Sequence, residues 1–261
     1  MTVCGRFAPT PSGRIHLGNI LCAMLSWLSV RSKNGRYLLR IEDLDAMRCP
    51  RSLADLIEDD LKWFGIDWDD GGSAGGDPWY QSCRTAIYDR YFDVLKDKGL
   101  LYPCFCSRAE LHTAQAPHRS DGTYIYAGTC RNLTPEQIAE KSKRRPPAWR
   151  VRVPEREMSF TDGCQGVYTE NLAHDCGDFI IRRSDGVYGY QLAVVVDDGL
   201  MGVTEVVRGS DLLNSTPRQM YLYEQLGFAI PQFYHMPLLT APDGRRLSKR
   251  DGDLELGVLR E

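Results

Sequence analysis

Ala8-Pro9-Thr10-Pro11-Ser12-Gly13-Arg14-Ile15-His16-Leu17-Gly18-Asn19 separates a short apolar stretch, Val3 to Phe7, from a longer apolar run, Ile20 to Val30, and its reading decides the fold. Two prolines and Gly13 demand a tight turn, with a strand before it and a helix after it. The helix opens at the turn, so its unpaired N–H groups and the positive end of its dipole face whatever occupies that turn. Such an arrangement binds anions, phosphates above all. His16 at the entrance can donate to a phosphate oxygen, and Gly18 has no side chain to keep a flat base or ribose off the backbone. Taken alone, a histidine beside a turn is more often a structural residue, so the reading needs support from elsewhere in the chain.

Working outward, the helix is expected over His16 to Lys33, closed by Asn34-Gly35, and a strand follows at Tyr37 to Ile41, which makes a βαβ unit. A helix near Arg51 to Phe64 ends at Gly65. The glycine-rich stretch Gly71 to Gly76 lacks the Gly-Lys-Ser/Thr of a phosphate-binding P-loop and reads as a flexible connector. A helix from Arg84 to Lys98 stops at Gly99, and Thr134-Pro135-Glu136 caps a short one toward Lys143. The middle turns β-rich, and Asn214 to Pro217 opens a helix that runs to Leu226 and ends at Gly227. The pattern is a nucleotide-binding α/β domain interrupted by an insertion: residues 1–100 and 180–261 form its two halves, and 101–179 the insert.

At 261 residues, with 43% hydrophobic, 26% charged and 10% aromatic side chains, the chain can bury a sizeable core. No signal peptide is apparent, and Ile20 to Val30 is too short and serine-interrupted to span a bilayer, so a cytoplasmic protein without a membrane partner is expected. The net charge of −3 gives no global hint of nucleic acid; the basic run Lys141 to Arg145, with Arg150 and Arg152, gives a local one. Nine cysteines, an odd number in a chain without export signals, argue for reduced thiols. Cys104, Cys106 and Cys130 lie close enough in a loop-rich stretch to hold Zn²⁺. The fourth ligand is open among His112, His118, Tyr124 and Tyr126. Cys4, Cys22, Cys49, Cys83, Cys164 and Cys176 lack such spacing and read as small apolar or surface residues.

Near the far end, Ala241 to Gly252 sets arginines, Ser248 and Lys249 in a glycine-flanked loop able to move. With His16-Leu17-Gly18-Asn19, the segment Arg246-Leu247-Ser248-Lys249-Arg250 resembles the paired signatures of the class I aminoacyl-tRNA synthetases. Arg246 stands where that family commonly has lysine, which keeps the charge. Arg40 to Asp45 (R-I-E-D-L-D), Tyr190 to Asp198 (Y-Q-L-A-V-V-V-D-D) and Val206 to Leu213 (V-V-R-G-S-D-L-L) resemble the glutamate-activating branch. The resemblance implies a Rossmann-like catalytic domain with an inserted zinc-bearing α+β subdomain of acceptor type and no anticodon-binding domain. It implies that His16, Gly18, Asn19, Arg246, Ser248 and Lys249 bind ATP with its Mg²⁺, with His16, Gly18 and Lys249 catalytic. It also implies that Arg6, Ala8, Thr10, Glu42, Tyr190 and Arg208 line the site for L-glutamate. The charges suit that substrate, because two carboxylates and an ammonium call for fixed cations and at least one anion.

The spacing Cys-x-Cys followed by Tyr126-x₃-Cys130 is similar to the structural zinc site of the glutamyl-queuosine tRNA(Asp) synthetases, which makes Tyr126 the implied fourth ligand. The segment between the two halves, including Gln115 to Gly122, is longer than in that pattern. Ordinary glutamyl-tRNA synthetases carry a helical anticodon-binding region after the signature loop, whereas the sequence here stops at Glu261, about ten residues past it. Leu44 and Ala46 in Asp43 to Arg48 replace the Thr and Arg usual in the ordinary enzymes. Both features lean toward the short branch, which modifies queuosine in the anticodon of tRNA(Asp) and itself runs somewhat further than this sequence; a monomer is expected. The alternatives are the catalytic fragment of an ordinary glutamyl-tRNA synthetase, and a zinc-bearing RNA-binding paralogue without catalysis.

Overall fold

The computed structural model describes residues 2–107, 110, 125–240 and 260. The signature loop with Arg246, Ser248 and Lys249, and the candidate ligands His112, His118 and Tyr124, lie outside the described residues.

Strand β1 (Cys4–Phe7) leads through the proline turn into helix α1 (Leu17–Arg31), and β2 (Arg36–Leu39) returns parallel to β1 with Cys4 opposite Arg36 and Phe7 opposite Leu39. The helix stops where expected because Asn34 takes a left-handed conformation, φ 51°, that a short polar side chain tolerates. Helix α2 (Ser52–Trp63) and strand β3 (Asp70–Gly71) follow, then a single helical turn, α3 (Gly72–Gly75), and helix α4 (Thr85–Asp97). Gly65 and Gly99 end α2 and α4 in the left-handed region, as the sequence demands.

The glycine-rich stretch is not a loose connector. Gly71 pairs with β2, the Ser73 hydroxyl donates to Glu58 at 2.8 Å, and the Trp79 ring lies so close that a Cβ on Gly75 would sit 2.3 Å from its Cδ1. Glycine is needed there for close packing, a requirement that in the sequence looks the same as flexibility.

The inserted region begins with β4 (Leu101–Cys104) and continues through α5 (Pro135–Ser142), where Thr134 and Gln137 form a capping box. Strands β5 (Ala148–Val151) and, later, β8 (Ile180–Arg182) complete an antiparallel sheet in the order β4-β5-β8, while β6 (Glu157–Asp162) and β7 (Gly166–Asn171) make a separate hairpin. Helix α6 (Tyr190–Leu200), strand β9 (Glu205–Gly209), helix α7 (Thr216–Leu226) and strand β10 (Gln232–Met236) return the chain to the first sheet. Every residue from Leu192 to Asp198 in α6 is buried, so the Val194-Val195-Val196 run is helical despite its β-branched preference, because core surrounds it on all sides.

The main sheet is parallel throughout, in the order β10-β9-β1-β2-β3. Its strands are buried on both faces: Leu38 joins one core cluster with α4, α6 and α7, while Tyr37 and Leu39 join another with α1 and α2. The chain winds outward from β1 through β2 to β3, and outward in the other direction from β9 to β10. The loops leaving the carboxyl ends of β1 and β9 therefore diverge and open a crevice between them. Among the described residues, no helix is long and apolar enough to cross a membrane.

Candidate active site

The crevice is a cavity of about 450 Å³, and its wall carries Arg6, Ala8, Thr10, His16, Gly18, Asn19, Glu42, Tyr190 and Arg208. Every described residue that the sequence assigns to a nucleotide or to glutamate thus meets in one place, although Arg6 and Arg208 are 202 positions apart.

Local backbone bonds set this geometry. Beyond the β1–β2 ladder, the Arg40 N–H donates to Phe7 O at 3.0 Å and the Glu42 N–H to Pro9 O at 2.9 Å, holding Glu42 beside the proline turn. Gly13 takes φ 124° within the turn, and the Ile15 N–H is fixed by the buried Asp60 carboxylate at 3.1 Å. His16 is extended and caps α1, its carbonyl accepting from Asn19 N at 2.9 Å and Ile20 N at 3.1 Å, so within the first turn it is the Leu17 and Gly18 N–H groups that have no helical acceptor. No acidic side chain stands in that first turn to compete with an anion. A Cβ on Gly18 would lie 3.2 Å from the His16 ring, tighter than ordinary van der Waals contact, so a larger residue there would require the imidazole to shift.

Beneath the cavity lies a buried ionic network. Asp198 accepts from Arg6 Nε at 3.3 Å and from Arg40 Nη1 at 2.6 Å, while Arg40 Nη2 donates to Glu42 at 3.0 Å. Asp197 accepts from Arg84 Nε at 2.7 Å, Gln81 Nε2 at 2.8 Å and Tyr88 OH at 2.9 Å. Burial raises the Glu42 carboxyl above the usual range, opposed by Arg40 and Arg6. For Asp198 burial acts upward too, but Arg6 and Arg40 outweigh it and hold the group low. Arg40, Asp197 and Asp198 lie within the motifs, but their fully buried pairing is a tertiary fact. The sequence signal was there, since charges inside apolar runs are rarely unpaired.

Arg208 is anchored differently. Its Nε donates to His235 Nε2 at 2.9 Å and its Nη2 to Thr216 Oγ1 at 2.8 Å, while His235 Nδ1 faces Asp162 Oδ2 at 2.6 Å. Sequence reading missed His235, Thr216 and Asp162. An arginine can only donate, so His235 Nε2 carries the lone pair and Nδ1 the proton, and the ring is neutral. Burial, then the Arg208 charge, lower the His235 pKa to about 4. The unfolded chain therefore binds a proton on this residue near 6.5 that the folded one refuses until about 4. The contribution is fully present above pH 6.5 and fades as pH falls toward 4, about 3 kcal/mol in all. In urea melts, the stability lost between pH 7 and pH 4.5 should accordingly be smaller for His235→Gln than for the parent.

A second cluster lies in the inserted region. Cys104, Cys106 and Cys130 bring their sulfurs within 4.8 Å of one another. Tyr126 OH stands 3.5 Å from Cys104 Sγ and 3.7 Å from Cys106 Sγ, and Cys106 Sγ is 3.6 Å from Cys130 Sγ. Around a tetrahedral zinc with bonds of about 2.3 Å to sulfur and 2.0 Å to oxygen, neighbouring donors are roughly 3.5–3.8 Å apart. The donor set fits such an ion. Arg150 stacks on the Tyr126 ring, 3.8 Å from its centroid, and its Nε reaches Cys104 Sγ at 3.3 Å. Burial works against the Cys104 thiolate, but the Tyr126 hydroxyl, a backbone N–H and Arg150 hold this thiol below the ordinary value; burial lifts Cys106 to about 12.

Residues 2–258 match the family described as the catalytic domain of class I tRNA synthetases (E and Q). The chain is 50% identical to the glutamyl-Q tRNA(Asp) synthetase of Symbiobacterium thermophilum, over 99% of this chain and 81% of that protein. It is 43% identical to the glutamate–tRNA ligase of a Sulfurihydrogenibium species, over 98% of this chain but 54% of that protein. A crystal structure of a glutamate tRNA ligase from Elizabethkingia meningosepticum, in complex with its amino acid, superposes with a TM-score of 0.84 at 32% identity, covering 97% of this chain and 53% of the other.

Proposed function

This chain belongs to the class I tRNA synthetases of the glutamate and glutamine branch, a family of ligases, and from that membership we propose that it activates L-glutamate with ATP and passes it to the queuosine base in the anticodon of tRNA(Asp). The observation that carries the proposal is the single cavity in which Arg6, Arg208, Glu42 and Tyr190 meet His16, Gly18 and Asn19 at the open end of α1. Arg6 and Arg208 offer fixed positive charge to the substrate's carboxylates, and Glu42 faces its ammonium. Glutamine, with a neutral amide, would leave one arginine uncompensated.

An α-carboxylate oxygen of glutamate attacks the α-phosphorus, a P–O bond breaks, and pyrophosphate leaves with its Mg²⁺. The N–H groups opening α1, His16 and Lys249 bear the charge that grows on the phosphate oxygens; no protein nucleophile takes part. The acceptor group of the base then attacks the activated carbonyl and AMP departs. The greater identity to the Symbiobacterium protein than to the Sulfurihydrogenibium ligase, together with Leu44 and Ala46, favours this acceptor over a tRNA 3′ end. We place the activity in the cytoplasm.

Cys104, Cys106, Cys130 and Tyr126 would hold one structural Zn²⁺, which would tie β4 to the loop around Tyr126. Purified protein should carry close to one zinc per chain, and Cys130→Ser should lose most of it while melting at lower temperature; metal analysis checks this.

The acceptor is tested with labelled glutamate, ATP and tRNA prepared with or without queuosine, each also stripped of its terminal adenosine. Queuosine-dependent label that survives stripping is expected. Queuosine-independent label lost on stripping would assign the chain to ordinary 3′-end charging.

A further inference from the structure

Arg208 is only 6% exposed, lines the cavity, and two of its three guanidinium nitrogens are used within the protein, on His235 and Thr216. Among the described residues its Nη1 is buried without a partner. A buried donor left unsatisfied costs free energy, so the nitrogen in this position is one a ligand acceptor would complete. Besides Thr216, whose Oγ1 also lies 3.2 Å from His235 Nε2, what keeps it there is a chain of two side chains from outside the cavity wall, since neither Asp162 nor His235 is among the lining residues.

Asp162 closes the β6–β7 hairpin, and its side chain and that of His235 have no solvent exposure. Asp162 Oδ1 accepts three backbone N–H groups, from His235 at 3.0 Å and from Cys164 and Gln165 at 2.9 Å. Only Oδ2 remains for the imidazole, at 2.6 Å. Gln165 Nε2 clasps the His235 carbonyl at 2.7 Å from the same hairpin turn. Phe233 stacks on the imidazole at 6.1 Å and lies under the Arg208 guanidinium at 5.3 Å, which limits how either can turn. The hydrogen-bond direction is thus set from the hairpin inward: carboxylate, Nδ1–H, bare Nε2, Arg208 Nε–H.

We propose that Asp162 and His235 are positioning residues for glutamate recognition, fixing the imidazole tautomer that seats Arg208 with Nη1 presented to a substrate carboxylate. The proposal rests on the reading of the cavity as a glutamate site. It gives the hairpin a task in the catalytic domain: the tip of the β6–β7 ribbon dictates a protonation state at the carboxyl edge of β10.

The proposal makes an unusual demand on one isosteric change. In Asp162→Asn the amide oxygen must stay on the three backbone N–H groups, so its NH₂ faces His235 Nδ1. The ring then has to move its proton to Nε2, where it opposes the Arg208 Nε–H, and Arg208 loses its seat. His235→Gln does the reverse: its amide oxygen can accept from Arg208 and its NH₂ can donate to Asp162, preserving the direction of the chain.

Glutamate-dependent exchange of labelled pyrophosphate into ATP, with KM measured for both substrates, decides the matter. Asp162→Asn should raise KM for glutamate about 10- to 100-fold, with KM for ATP within about twofold of the parent, while His235→Gln stays within about fivefold on both. Equal weakening of ATP and glutamate in Asp162→Asn, or an unchanged KM for glutamate, overturns the positioning role. Should Asp162→Asn fail to fold, His235→Leu, which can neither accept nor donate, takes its place with the same expectation. If the parent itself shows no glutamate-dependent exchange, the glutamate reading fails first and this inference with it.

Discussion

Lys249→Ala is expected to slow glutamyl-adenylate formation by about 10²- to 10³-fold while glutamate affinity stays within about twofold. The asymmetry follows from where the charges lie. In the proposed mechanism Lys249 meets only the pyrophosphate as it leaves, so its ammonium is worth most when negative charge has built up in the transition state. Glutamate, by contrast, would be held by Arg6, Arg208 and Glu42, which are locked into the sheet ends by Asp198, His235 and Arg40. None of these contacts involves the signature loop. Single-turnover measurement of adenylate, together with calorimetric titration of glutamate, separates the two quantities. A parallel loss of glutamate affinity would remove Lys249 from the role assigned to it.

Asp198→Ala is expected to be the most damaging single change to stability. It strips both Arg6 and Arg40 of a carboxylate at sites 5% and 0% exposed, leaving two guanidinium groups with too few acceptors and little access to water. Breaking a buried pair by removing one partner costs about 3–5 kcal/mol, and two cations depend on this one. For a chain of this size each kcal/mol lowers the melting temperature by about 2–4 °C, so a fall on the order of 10 °C or more is expected. Asp198→Asn keeps an amide oxygen that can accept from Arg6 or Arg40, which should make it milder than Asp198→Ala; in both variants Arg40 retains Glu42 and, at 3.7 Å, Asp197. Thermal melts of the two variants beside the parent check the order. A shift of under about 3 °C for Asp198→Ala would mean that water or rearranged side chains satisfy the arginines.

The network also gives Arg6 the rigidity that the proposed glutamate site requires. A lone arginine on a strand end could swing among rotamers, losing entropy when substrate binds. One held through Nε by a carboxylate has that entropy removed in folding and leaves other N–H groups for ligand. Arg208 follows the same logic with a neutral partner, so among the described residues no carboxylate in contact compensates its positive charge. Burial and the neighbouring Arg6 charge both depress it, which an incoming carboxylate would relieve.

Much of this was legible in the chain itself. The proline turn, the helix opening at His16, the stops at Asn34, Gly65, Gly99 and Gly227, and the capping box at Thr134 are local: backbone dihedral preference and short-range hydrogen bonds write them into neighbouring residues. The three close cysteines could be read from residue type and spacing, and the residues around the cavity from motifs that resemble those of the synthetase family.

Three kinds of feature escaped that reading. Glycines packed under Trp79 look the same in sequence as glycines that bend freely. A valine run inside α6 is apolar on every side, so no period shows whether it is helix or strand. And Asp162, His235 and Thr216 belong to no motif, because what joins them to Arg208 is the packing of a hairpin against an edge strand. Sequence alone thus determined the chemistry available and the local turns that display it, since both depend on residues within a few positions of one another. The partner of each buried charge, the proton's place on His235 and the meeting of Arg6 with Arg208 were decided only when the sheet order set β1 beside β9, a long-range choice that no stretch of neighbouring residues records.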